Sequence, residues 1–76
     1  MELNRTIEIL TEREYEIMEL VSIGKLNKEI ANILDIQPGT ITKHLQHIFE
    51  KIEVQNRTEA AIKFLELTGR LILVAV

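Results

Sequence analysis

Seventy-six residues suffice for one domain with one modest core, and a domain of that size buries only about 60% of the surface its unfolded chain exposes. The absence of cysteine excludes a disulfide framework and a thiolate zinc site, and no apolar run approaches the roughly 20 residues of a membrane helix. Nine Lys and Arg against twelve Asp and Glu give a net charge of −3, opposite in sign to most dedicated nucleic-acid-binding domains.

Apolar residues recur at helical spacing almost throughout. The opening Met1-Glu2-Leu3-Asn4-Arg5 lacks the basic-then-apolar layout of a signal peptide, which together with the missing cysteines reads as a soluble cytoplasmic protein. Residues 1–8 read as a loosely ordered arm, residues 9–69 as the folded domain and residues 70–76 as an apolar tail.

The first helix begins at Thr11. Thr11-Glu12-Arg13-Glu14 has the form of a capping box, in which the hydroxyl accepts from the backbone three residues on and Glu14 reaches back. Leu10 is placed to staple onto Tyr15. Ile17, Met18, Leu20 and Val21 supply the buried stripe, and Gly24 suits the left-handed residue that ends the helix.

A short second helix is expected near Asn27 to Leu34, with Asn27 as its cap and Ile30, Ala31 and Leu34 inward. Asp35-Ile36-Gln37 is then a connection of about three residues, the length of a helix-turn-helix. Pro38 opens the third helix, since its fixed φ and missing N–H are tolerated in a first turn, and this helix runs to Lys51 or Ile52. The fourth starts at Asn56-Arg57-Thr58-Glu59, with Asn56 capping and Glu59 answering, passes through Ala60, Ala61, Phe64 and Leu65, and ends near Gly69.

Helix three divides into two faces at about 100° per residue. Ile41, Leu45, Ile48, Phe49 and Ile52 form one stripe, His44 flanks it, and Thr42 sits on the border. Lys43, Gln46, His47 and Glu50 fall roughly 140° to 240° around from Ile41. Lys suits guanine O6 and N7, and Gln pairs bidentately with adenine, so this strip has the chemistry to probe base edges. A solvated polar face on an ordinary amphipathic helix would look the same. The charge distribution softens the objection raised by the net charge and leaves both readings open: residues 1–22 carry six Glu against two Arg, a net of −4. Residues 25–57 carry five cations, Lys25, Lys28, Lys43, Lys51 and Arg57, against Glu29, Asp35, Glu50 and Glu53, a net of +1.

Leu10-Thr11-x-Arg13-Glu14-x-Glu16-Ile17, Gly24-x-x-Asn27-Lys28-Glu29-Ile30-Ala31, Leu34-x-Ile36-x-x-x-Thr40-Ile41-x-x-His44, Ile48, Lys51-Ile52 and Val54-x-Asn56-Arg57-Thr58-Glu59-Ala60 together resemble the DNA-binding domain of the LuxR/GerE (NarL/FixJ) family. The resemblance covers about residues 10–68 without a gap. It implies an all-α, four-helix helix-turn-helix domain of a bacterial transcription regulator, binding double-stranded DNA as a homodimer with helix 38–51 in the major groove. Carried over residue by residue, it implies DNA contacts at Thr11, Asn27, Lys28, Thr40, Thr42, Lys43, Gln46 and His47. Lys51 would make a backbone contact or a structural ion pair. Dimerisation would fall to helix four and the start of the tail, at Ala60, Lys63, Phe64, Leu67 and Leu71. RNA polymerase or another regulator would be a further partner, with no cofactor and no small-molecule ligand. The chain would be either a stand-alone regulator or an excised C-terminal domain.

Four positions depart from the family pattern. Leu26 and Gln37 stand where Ser is common, each losing a preferred N-cap, and Thr42 stands where Lys is usual, with Lys43 one place on. Phe64 replaces a small residue, which together with Leu71-Ile72-Leu73-Val74-Ala75-Val76 suggests either an enlarged dimer interface or a tail folded onto the first helix.

His44 and His47 could share a metal-ligating face, but no nearby carboxylate completes a set, so no metal site is expected. Catalysis is not expected either, because the scattered Glu residues read as solvated helix surface rather than a paired site. The rival reading is a protein-interaction module with this fold, capturing another regulator through helix 56–69 and the apolar tail; the net charge and the missing Lys at Thr42 motivate it.

Overall fold

The computed structural model describes residues 9–70 and contains four helices: α1 (Glu12–Ser22), α2 (Asn27–Leu34), α3 (Pro38–Ile52) and α4 (Arg57–Leu67). No strand occurs among the described residues, and the expected all-α class is met. None of these helices is long and apolar enough to cross a membrane. The residue 1–8 arm and the tail beyond Arg70, Leu71 included, lie outside the described residues.

Helix α3 is the spine of the core. It supplies Ile41, Leu45, Ile48 and Ile52, which meet Ile17, Met18 and Val21 of α1, Ile30 and Ala31 of α2, and Ala60 and Phe64 of α4. Burying each large aliphatic or aromatic side chain contributes about 1.5–3 kcal/mol, so a domain this small depends on nearly every member. Leu20, Leu34 and Phe49 are only partly buried and pack around this centre. Helix α1 packs chiefly on α4, and α2 chiefly on α3, so α3 is held from several sides.

All four helices stop in the same way. A left-handed residue follows the last turn, and the next backbone N–H reaches back to a carbonyl five residues earlier, as in a Schellman motif. Lys25 N–H donates to Leu20 O, Ile36 to Ala31 O, Val54 to Phe49 O, and Arg70 to Leu65 O, at 2.8–3.0 Å. The left-handed residue is Gly24 after α1 and Gly69 after α4, but Asp35 after α2 and Glu53 after α3, with φ of 58° and 59°. An L side chain is strained there by about 1 kcal/mol. Both strained stops belong to the helix-turn-helix pair.

The starts divide along the same line. Thr11 makes the expected capping box: Glu14 N–H donates to Thr11 Oγ1 at 3.1 Å, and Thr11 N–H donates to Glu14 Oε1 at 2.9 Å. Asn56 Oδ1 accepts from Glu59 N–H at 2.9 Å, while the Glu59 carboxylate answers the N–H of Gln55 rather than that of Asn56. Neither Leu26 nor Gln37 caps its helix with a side chain. The expectation that Asn27 caps α2 is corrected: the N-cap is Leu26, Asn27 is already the first helical residue, and Glu29 closes the turn by accepting from Leu26 N–H at 2.7 Å.

A second correction concerns α4. Ala60 and Phe64, expected on a dimer surface, are 0% and 2% exposed inside the chain's own core. Phe64 meets Tyr15 edge-on at 5.1 Å between ring centroids, and the Arg70 guanidinium lies 5.3 Å above its ring. Arg70 also pairs with Glu19 at 3.2 Å, drawing the end of α4 onto α1. A ring in this place fills the α1–α4 seam, so its size serves packing within the chain.

Candidate nucleic-acid interface

The two faces of α3 differ completely in exposure. Ile41 and Ile48 are fully buried and Leu45 nearly so, whereas Thr42, Lys43, Gln46, His47 and Glu50 are all exposed. His44 is half-buried on the flank. Because the inward residues are locked into the core from several sides, the outward strip sits on a rigid rod. None of the ion pairs among the described residues involves Lys43 or Glu50; they join Arg13 to Glu16, Lys51 to Glu14 and Arg70 to Glu19. Thr42 Oγ1 lies 3.5 Å from Pro38 O, a weak contact that leaves its hydroxyl available.

The three-residue turn brings the starts of α2 and α3 to one concave surface. Lys28, Asn32, Asp35, Gln37 and Thr40 line an open hollow of about 840 Å³ between the two helices. Lys28 and Thr40, twelve positions apart in sequence, thus share one surface. Asp35 shares it too and weakens its attraction for anions. Thr11 is exposed at the start of α1, where its hydroxyl oxygen accepts from Glu14 N–H.

Lys51 makes an ion pair with Glu14. Its Nζ lies 2.6 Å from Glu14 Oε1, the same oxygen that accepts from the Thr11 backbone. Glu14 is 4% exposed. Burial alone would push its carboxyl pKa up, but the hydrogen bond from Lys51, the backbone N–H of Thr11 and the Lys51 charge outweigh it and hold the pKa below the usual carboxylate value. The ammonium is thereby held toward α1, away from the strip carrying Lys43 and Gln46.

Arg57 was not among the site residues expected from sequence. Its Nη1 donates to Asn27 Oδ1 at 2.6 Å and its Nη2 to the Lys25 carbonyl, tying the first turn of α4 to the first turn of α2. One signal pointed to it. A cation at the first position of a helix opposes the helix dipole, so an Arg there implies a tertiary partner.

Residues 8–64 match the family described as bacterial regulatory proteins, luxR family (GerE). The chain belongs to that family. Among its relatives, the transcriptional regulatory protein DesR of Bacillus subtilis is 53% identical over 51 residues, covering 67% of this chain and 26% of DesR. The response regulator protein VraR of Staphylococcus aureus is 47% identical over 55 residues, covering 72% of this chain and 26% of VraR. A putative HTH-type transcriptional regulator of Escherichia coli, YhjB, is 38% identical over 58 residues, covering 76% of this chain and 29% of YhjB. The LuxR-family chain therefore spans between a quarter and a third of the length of these relatives. The matched residues 8–64 include the helix-turn-helix, and the chain carries the fold of a DNA-binding regulatory domain.

Proposed function

We propose that this LuxR-family chain binds duplex DNA as a symmetric dimer and regulates transcription in a bacterial cytoplasm. The outward strip of α3 enters the major groove, with Lys43, Gln46 and His47 at base edges and Thr42 beside them. Asn27, Lys28, Thr40 and Thr11 meet phosphates. The observation carrying this reading is the division of α3: four residues anchored in the core, and a polar strip left open to solvent. The names of the relatives, a transcriptional regulatory protein and a response regulator, support it.

Two copies of α3 would sit about one helical turn of DNA apart, roughly 10 base pairs. With Ala60 and Phe64 in the core, self-association falls to the outer side of α4. Ile62 is 46% exposed there, and Lys63 and Leu67 are half-buried beside it. RNA polymerase or another regulator remains the further partner of the bound dimer.

Glu50 lies at the far end of the same strip and would repel phosphates, so it belongs where α3 leaves the groove. With a net charge of −3, attraction must come from the local cations, and affinity should fall steeply as salt releases the counterion advantage. A fluorescence-anisotropy titration of mixed-sequence duplexes at low salt tests the reading. Micromolar binding that weakens with salt supports it. Absence of binding at high protein concentration removes it in favour of the protein-interaction module.

A further inference from the structure

We propose that Arg57 is a positioning residue for DNA, fixing the Asn27 amide so that its Nδ2 is presented as a donor to a phosphate at the start of α2. This rests on the DNA-binding reading above and adds a residue to it. A guanidinium only donates, so the amide group facing Arg57 must be the oxygen. The orientation of Asn27 is therefore chemically determined, and Nδ2 points away from Arg57. Nδ2 has no partner among the described residues, yet no unpartnered polar side-chain atom is buried, so this donor opens to solvent.

The electrostatics point the same way. Both acceptors of the guanidinium, an amide oxygen and the Lys25 carbonyl, are neutral, and no carboxylate pairs with it among the described residues. Its positive charge thus persists beside the first turn of α2, next to the exposed Lys28. An oriented donor, an unneutralised cation and a flexible lysine on one helix start form a set that suits a phosphate oxygen. The bridge spans 30 positions and joins the helix proposed to dimerise to the helix proposed to hold the DNA backbone.

The test is a double-mutant cycle read by duplex affinity, with thermal unfolding of every variant alongside. Asn27→Asp keeps the acceptor for Arg57 but removes the donor; its unfolding midpoint should equal or exceed that of the parent while affinity for every duplex falls about tenfold. Arg57→Lys should weaken binding several-fold in the parent and add nothing in the Asn27→Ala background. Multiplying losses in the cycle, or an Asn27→Asp variant that binds like the parent, would overturn the positioning role while leaving DNA binding intact. A parent chain that fails to bind any duplex would overturn both.

Discussion

Glu14 and Lys51 lie 37 positions apart and meet at 2.6 Å, through a carboxylate oxygen that also caps the start of α1. One buried oxygen therefore ties the first turn of α1 to the last turn of α3. A depressed carboxyl pKa contributes stability that is full above the unfolded value, about 4.3, and is lost as pH falls through the lower folded value. Glu14→Gln keeps a capping-box side chain but has no charge to offer Lys51. We expect it to be about 1 kcal/mol less stable than the parent at pH 7, allowing for the partial exposure of Lys51. Urea unfolding at stepped pH should show that difference shrinking below about pH 4.3. Parallel curves down to the acid end would mean that the pair adds nothing.

The helix-turn-helix pair should be easy to stabilise without touching its core. Leu26→Ser and Gln37→Ser each supply a missing cap and should add about 1 kcal/mol. Glu53→Gly relieves a left-handed side chain and removes a negative charge from the end of α3, for a gain of about 0.5–1 kcal/mol. Gly24→Ala is the opposite case. A Cβ there meets nothing within 4 Å, so its cost of about 1 kcal/mol is purely conformational. Midpoint shifts in urea at constant slope would check all four signs.

Phe64 and Ile62 should separate folding from assembly. Phe64→Ala empties the α1–α4 seam and should cost about 3–4 kcal/mol, enough to unfold much of so small a domain. Ile62→Glu alters an exposed position and should leave the unfolding of dilute monomer within about 0.5 kcal/mol while lowering the sedimentation-defined dimer fraction. An unchanged dimer fraction would move the interface away from this side of α4.

The outer helices were legible because their punctuation is complete: Thr11 to Gly24 and Asn56 to Gly69 each pair a good cap with a glycine stop. The three-residue turn and the two faces of α3 followed from periodicity and Pro38. Glu53 was not legible as a left-handed stop, because no local preference places Glu there and tertiary packing overrides the strain. Asp35, of a residue type that tolerates that region, read only as part of the turn. Periodicity marks Ala60 and Phe64 as one apolar face but does not say whether that face meets its own chain or another copy. Lys51 as partner of Glu14, and Asn27 and Lys25 as partners of Arg57, lie more than 25 positions away, beyond the reach of any local rule.

The outward strip of α3 is best tested by selecting bound duplexes from a random pool with the parent, Lys28→Ala, Lys43→Ala and Gln46→Ala. The parent should enrich a sequence with twofold symmetry. Lys28→Ala should recover the same sequence with uniformly weaker affinity, while Lys43→Ala and Gln46→Ala should each change or relax the preferred bases, at about 1–3 kcal/mol per lost base contact. Identical enriched sequences and affinities across all four proteins would contradict a groove-reading role for Lys43 and Gln46.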